Sequence, residues 1–484
     1  MNPSLATNRY SIVDYGARPG TDSVNHTYIQ AAIDAAAEAG GGIVFIPPGL
    51  WVSGTLVLRS NITLYLSTGA TLLASPDFSH FPKANEDPRG SHHLLYGEHV
   101  ENVMICGGGI IDGNLKTWTR NYDTVPPFTW TDLVSNRPAP FNDLRHCRNI
   151  RIENITLCNS PGWTVRFYLC DEIWIRGVKM HTYVYSGNSD GFDFVGCRDV
   201  LISDCILETG DDAIVFKCEK GTRSCERATV TNCIIKTNCA AFRLGAETFY
   251  NYRNFTLSNC VIYNSVRAVD IISMDGAVLE DITVSNLVIE TNSSITMNRA
   301  IHLEVRKGRS EWGMESLPLE EQKAGVIRRV TIANIMLRTD GRVLLTATDG
   351  GVLEDITIRD LHIAYPWIED PVAVKDKSDS MQCSNYCPEA RHARAAVVVM
   401  NARRFQLHNL VIEWPKPGVV PQWAAKYEHG MRILDPADTA APLPQFHAFW
   451  GKHIAGGLLD IPLVEASTPE TPRVVLENCT MIQR

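Results

Sequence analysis

A chain of 484 residues with 45% apolar and 20% charged residues has ample material for a packed core and no general case for disorder. The formal net charge of −9 comes with no Lys/Arg run, which argues against a nucleic-acid partner, and no stretch approaches the roughly 18 apolar residues that a membrane span needs. The opening Met1-Asn2-Pro3-Ser4-Leu5-Ala6-Thr7 carries neither a basic nor an apolar export region, so a cytoplasmic location is expected, with no membrane partner.

The fourteen cysteines are a small share of so long a chain and read as buried free thiols in a reducing compartment. Cys383 and Cys387, with His392 nearby, lack the second Cys/His pair of a zinc site, so no metal and no cofactor is expected.

In chain order, Tyr10-Ser11-Ile12-Val13-Asp14-Tyr15 alternates like a half-buried strand. Thr27 to Ala39 is an alanine-rich helix with Ile29 and Ile33 four apart, ended by Gly40, Gly41 and Gly42, and Gly41 to Gly49 is a strand closed by prolines. A solenoid has open ends, and a helical cap at residues 1–60 protects one of them. Gly107-Gly108-Gly109 reads as a tight turn, since no βαβ unit follows it.

One pattern then recurs, apolar-x-apolar-x-Asn/Asp-apolar/Cys. It stands at Ile150–Ile155, Val200–Cys205, Phe255–Cys260, Ile282–Leu287, Val330–Ile335 and Ile356–Leu361, and in shortened form at Val475–Cys479. The pivots Asp204, Asn232, Asn259 and Asn286 are 28, 27 and 27 residues apart. Short alternating strands at this period predict an all-β parallel β-helix with no second domain. Residues 1–60 form its cap, 61–365 its main coils with the active site, and 366–484 its C-terminal coils and long loops. The repeated Asn suits left-handed turns that hydrogen-bond along the stack, and Cys205, Cys233, Cys260 and Cys479 serve as small interior hydrophobes. Interruptions at 114–147, 305–327 and roughly 365–460 are expected to overhang the binding face.

Chemistry concentrates at Asn188-Ser189-Asp190-Gly191-Phe192-Asp193 and Thr209-Gly210-Asp211-Asp212-Ala213-Ile214, where Asp211 and Asp212 follow Asp190 by 21 and 22 residues. At a similar repeat period, Asp190 stands over Asp212 with Asp211 beside it. Crowded carboxylates supply a protonated acid together with an ionised base, as glycosidic hydrolysis requires. Paired carboxylates can also hold calcium, so that reading stands beside it. The same register puts Asp193, Arg243, Asp270 and His302 in one column and Lys217 and Glu304 in another, both on one face; the bland alternative for each is a solvated surface charge.

These runs resemble the Asn-Thr-Asp and Asp-Asp motifs of glycoside hydrolase family 28, the polygalacturonase-like enzymes. Gly109–Asn114 with Trp118, Arg137-Pro138 and Asn159-Ser160-Pro161-Gly162-Trp163 are similar to that family as well. The resemblance implies a right-handed β-helix and hydrolysis with inversion, with Asp211 as general acid and Asp190 and Asp212 activating water, the acid and base roughly 6.5 to 9.5 Å apart. Asn188, Trp163, Lys217, Arg243, Asp270, His302 and Glu304 are the candidate substrate-binding residues. Two departures stand out: Asn238-Cys239-Ala240 replaces Gly-His-Gly, and Asp270-Ile271-Ile272 replaces the Arg-x-Lys that grips a galacturonate carboxylate. Asp270 would repel that carboxylate and suits the hydroxyls of a neutral sugar, while Arg243 offers a relocated positive grip. The expected substrate is a pectin-like oligosaccharide or polysaccharide, with cleavage from one end among the expected modes. A polysaccharide lyase using Lys217 or Arg243 as base, or a non-catalytic glycan-binding solenoid, are the competing readings, and the oligomeric state is left open.

Overall fold

The computed structural model describes residues 8–124, 131–291, 299–308, 321–368, 388–416 and 445–484. It divides into two compact units: Met1–Phe216 with Cys225–Ile234, and Lys217–Ser224 with Ile235–Arg484. Each is wound as a right-handed parallel β-helix. Cys383 and Cys387 lie outside the described residues. No helix among the described residues is long and apolar enough to cross a membrane.

In the first unit each coil gives one short strand to each of three parallel ladders. Val165–Tyr168, Asp171–Arg176 and Lys179–His181 form one such coil, and Phe192–Val195, Arg198–Ser203 and Ile206–Thr209 lie directly on it. Because side chains alternate, Ile173, Val200 and Ala228 stack inside in one column and Ile175, Ile202 and Val230 in the next. Phe167, Phe194 and Phe216 continue the interior as a ring stack with centroids 5.1 and 4.7 Å apart. Each fully buried side chain of this kind contributes roughly 1.5–3 kcal/mol.

The repeated Asn and Asp do what the period requires. Asn154, Asp204, Asn232, Asn259, Asn286, Asn334, Asp360 and Asn478 all have φ between 52° and 61°. They also bond along the stack: Asn232 donates to Asp204 at 3.3 Å in the first unit. In the second unit Asn286 donates to Asn259 at 3.1 Å, Asn334 to Asn286 at 2.9 Å and Asn409 to Asp360 at 2.8 Å. Cys205, Cys233 and Cys260 are buried free thiols, whereas Cys479, near the chain end, is only half-buried.

The N-terminal cap departs from expectation at one place. The strand is only Arg9–Ser11, and Ile12–Tyr15 turns into a 3-10 helix closed by Gly16 at φ 101°, which tucks Ile12 into the interior. Helix α1 (His26–Glu38) buries Ile29, Ala32, Ile33 and Ala36, the i, i+3, i+4, i+7 stripe of an amphipathic helix. At Gly107, φ is 122° and an added Cβ would stand 2.0 Å from the Leu66 carbonyl oxygen, so the glycine turn there is steric.

In the second unit the strands are longer. Tyr252–Ser265, Val278–Thr291, Val326–Thr339 and Val352–Ala364 lie in register, so that Ile282, Val330 and Ile356 form one buried column. The expected interruption at 365–460 is corrected: Ala395–Glu413 and His447–Asp460 inside it are strands of the same stack. Phe405-Gln406-Leu407-His408-Asn409-Leu410 obeys the repeat pattern, with Asn409 at φ 52°. Helix α2 (Pro388–His392) and the residues after it bring Ala390, Ala393 and Ala395 against Leu344, Val398 and Trp450.

Candidate active site

The first unit holds the three aspartates on two turns that enter neighbouring strands. Asn188 to Gly191 leads into Phe192–Val195, and Gly210 to Ala213 leads into Ile214–Cys218. Asp190, Asp211 and Asp212 are all buried. Asp211 is fixed by the backbone, its Oδ1 accepting from the Asp212 N–H at 2.9 Å and its Oδ2 from the Asn188 N–H at 3.2 Å. Asn188 therefore acts through its main chain, in the left-handed region at φ 55°, with its side chain exposed. The Asp190 carbonyl accepts from Thr164 at 2.9 Å, and the Gly191 N–H donates to the Asp212 carbonyl at 2.8 Å, so the two turns lie one upon the other as the register predicts.

Small residues make this stacking possible. A Cβ on Gly191 would meet the Ala213 carbonyl oxygen at 2.3 Å, and one on Gly210 would meet the Ser186 carbonyl oxygen at 2.4 Å. Ser189 Oγ donates to the Ser186 carbonyl and accepts from the Gly210 N–H, and Thr209 Oγ1 donates to the Asp211 carbonyl, so each turn is pinned by hydroxyls. Carboxylate oxygens of Asp211 and Asp212 come within 4.8 Å of one another, closer than the roughly 6.5 to 9.5 Å expected between the acid and base of an inverting pair, so of the two expected bases Asp212 departs from that spacing. Trp163 is half-buried, with the Arg89 guanidinium 5.0 Å from its ring centroid.

The second unit gathers the other candidates. Arg243 pairs with Asp270 and Asp270 with His302 in adjacent coils, as the register predicts. None is a solvated surface charge: Lys217, Arg243, Asp270, His302 and Glu304 are all buried. Asp270 Oδ2 accepts from Arg243 Nε at 2.9 Å and Nη2 at 2.6 Å and from Arg267 Nη1 at 2.7 Å, while its Oδ1 meets His302 Nδ1 at 2.7 Å. Burial alone would raise this carboxyl; the guanidinium groups of Arg267 and Arg243 and the imidazole bond outweigh it and hold it well below the usual carboxylate range.

The expectation that Asp270 receives sugar hydroxyls is thereby corrected. Both its oxygens are engaged by protein donors, and its charge is more than matched by Arg243 and Arg267. His302 Nε2 faces Arg299 Nη1 at 3.1 Å; a guanidinium can only donate, so Nε2 accepts and the imidazole is the neutral Nδ1–H tautomer. Burial first, then the Arg299 charge, lowers its pKa against the pull of Asp270.

Arg267 and Arg299 did not emerge from the sequence reading. Arg267 is fully buried and also donates to Cys239 Sγ at 2.9 Å, so a cation reaches the position where the family pattern carries histidine. The first unit holds a comparable group: Tyr96, Asp143, Arg166 and Asp193 share a column, with Arg166 bidentate to Asp143 at 2.8 Å twice. A search for charged residues at matching strand positions in successive coils would have found both groups.

For metal, Glu98, His99 and His146 bring ligand atoms within 4.8 Å, but all three are exposed and the two imidazoles stack at 4.8 Å with planes 12° apart. Parallel rings are a stacking geometry rather than lone pairs converging on an ion. Asp211 and Asp212 also bring carboxylate oxygens within 4.8 Å of one another, with one backbone N–H already on each oxygen of Asp211.

The sequence profile of glycosyl hydrolases family 28 matches residues 52–385. A probable polygalacturonase of Vitis vinifera is 32% identical over 221 residues, 43% of this chain and 44% of that protein. An exo-poly-alpha-D-galacturonosidase of Dickeya chrysanthemi is 26% identical over 259 residues, 44% of this chain and 42% of that protein. The chain thus spans less than half the length of these curated relatives. Among solved structures, a Thermotoga maritima exopolygalacturonase aligns over 84% of this chain and 92% of its own with a TM-score of 0.64 at 20% identity. The Yersinia enterocolitica family 28 exopolygalacturonase aligns over 94% and 79% with a TM-score of 0.65 at 16% identity. At these identities the likeness speaks for the fold.

Proposed function

We infer that this chain, which belongs to glycosyl hydrolases family 28, hydrolyses glycosidic bonds in a pectin-type oligosaccharide that carries uronate sugars. The observation that carries the reading is the pair of stacked turns that buries Asp190, Asp211 and Asp212 and aims Asp211 with two backbone N–H groups. Asp211 protonates the leaving oxygen, while Asp190 and Asp212 activate the water that attacks from the opposite face, giving inversion. The relatives of Vitis vinifera and Dickeya chrysanthemi, named for polygalacturonate, support the substrate class.

Charge in the second unit supports it too. Three guanidinium groups, Arg243, Arg267 and Arg299, gather around Asp270 and a neutral imidazole that Glu304 also faces at 3.9 Å, and three cations against two acids favour an anionic sugar over the neutral one expected from Asp270 alone. The same arrangement weakens the lyase reading. Arg243 is bonded to the Asp270 carboxylate, which stabilises the protonated guanidinium and makes it a poor proton abstractor. Cleavage from a chain end is favoured by α2 and the residues after it, which cover Leu344, Val398 and Trp450 in the continuation of the Arg243–Asp270–His302 column, where a long polymer would otherwise lie.

The test is Asp211→Asn assayed on defined oligogalacturonides, with the first anomer released followed by NMR. Turnover falls by about 10²- to 10⁴-fold while binding persists, and the wild type releases inverted product. Undiminished hydrolysis by the variant sinks the assignment.

A further inference from the structure

In the second unit three arginines open successive strands: Arg267 in Arg267–Ser273, Arg299 in Arg299–Val305 and Arg342 in Arg342–Ala347, with Arg299 and Arg342 paired in register. All three are buried. The outer two have partners: Arg267 is held by Asp270 and Cys239, and Arg342 Nη1 donates to the Ala393 carbonyl at 2.6 Å just past α2. Arg299 differs. It is 8% exposed, and its one bond among the described residues is from Nη1 to His302 Nε2, an acceptor on a neutral ring.

A buried cation facing a neutral group, with no carboxylate paired to it among the described residues, is costly to keep, and such a group persists where an anion completes it. The guanidinium has five donors in a planar fork, of which His302 takes one. Asp270 cannot supply the counter-charge, because its Oδ1 is turned to His302 and its Oδ2 to Arg243 and Arg267. His302 thus fixes the orientation of Arg299 without neutralising it, and Asp270 in turn fixes the tautomer of His302. Glu304 is the other acid facing this imidazole, at 3.9 Å.

We propose that Arg299 binds the carboxylate of a substrate uronate, through the fork donors left over by His302, and thereby selects the acid sugar over its neutral ester. Resting on the hydrolase reading above, this assigns the selecting contact to a residue outside the Arg-x-Lys position of the family pattern, with His302 and Asp270 as positioning residues behind it.

The experiment compares wild type, Arg299→Gln and Arg299→Lys on an oligogalacturonide and on its methyl ester, each variant first shown to be folded by its thermal transition. Arg299→Gln raises KM for the acid about 10- to 100-fold and leaves the ester within about two-fold, and Arg299→Lys, which keeps the charge and loses the fork, falls between. Equal losses on acid and ester, or none on either, overturn the proposal while the hydrolase reading stands. If wild type cleaves neither substrate, the hydrolase reading falls. Calorimetric titration of galacturonate then decides this one: binding that Arg299→Gln abolishes supports it, and binding that is absent or indifferent to the substitution overturns it. Should Arg299→Gln fail to fold, the KM ratio of acid to ester in Arg299→Lys carries the decision, an unchanged ratio counting against.

Discussion

Asp270→Asn is the substitution through which the buried charge cluster can be weighed. In the native protein Oδ2 takes three donors from Arg243 and Arg267 and Oδ1 takes one from His302. An amide cannot serve all four. With its oxygen toward the arginines, its NH₂ meets the His302 Nδ1–H; turned the other way, its NH₂ meets three guanidinium N–H groups. Exchanging the imidazole tautomer does not help, because Nε2 already accepts from Arg299. The negative charge is lost in either orientation, leaving two guanidinium groups with no carboxylate at Asp270 to offset them. Breaking a buried ion pair from one side costs about 3–5 kcal/mol, and that is the expected loss. Urea unfolding at pH 7, followed by tryptophan fluorescence and far-UV circular dichroism with coincident transitions, measures it. Adding Arg267→Met to Asp270→Asn recovers part of the loss, since one orphaned cation is removed. A cost for Asp270→Asn below about 1 kcal/mol would refute the reasoning, for it would mean that the guanidinium groups find equivalent partners elsewhere.

Gly191→Ala forces a Cβ to 2.3 Å from the Ala213 carbonyl oxygen, so the stacked turns must part. A stability loss of about 1–3 kcal/mol is expected, together with a fall in kcat of about 10²-fold as the adjacent Asp190 moves; a thermal scan and initial rates check both. His302 and His93 have imidazole pKa values lowered, each by burial first, then at His302 by Arg299 and at His93 by Arg166 and Arg145 against the upward pull of Asp143. The unfolded chain then binds protons that the folded one refuses, so stability holds above about pH 6.5 and declines as pH falls below it; an unfolding midpoint that rises between pH 7.5 and 5.5 contradicts this.

Much of the fold was legible because its unit is short and repeats. Asn286 and Asn334 announce the turn, the apolar pairs on either side announce the strand, and the period alone places Arg243 against Asp270 and Asp270 against His302. The strand containing Phe405–Leu410 was passed over although it obeys the same rule, because the long insertion before it broke the count. At the N-terminus, alternation in Tyr10–Tyr15 suggested an extended strand, but one further turn brings Ile12 inside and Gly16 permits it.

The site was legible in position and misread in charge. Register says which residues are neighbours; it does not say which of two neighbours a side chain turns toward. The column sets Arg243 beside Asp270 without saying that the guanidinium turns to it; Arg267, three residues away in the same strand, and Arg299, which begins its strand, both lie off that column.

The bonded turns of the second unit also have a direction. Asn286 donates to Asn259 in the coil before it and accepts from Asn334 in the coil after it, and Asp360, which accepts from Asn409, starts a segment of its own. Deamidation of Asn286 during storage would therefore not be a neutral change. The new carboxylate would still accept from Asn334, yet it would turn an acceptor toward the Asn259 oxygen where a donor had been. Chemical ageing at that one residue would cut the ladder and set a repulsion between two coils, so peptide mapping of old preparations should find the damaged molecules enriched in the fraction that unfolds first.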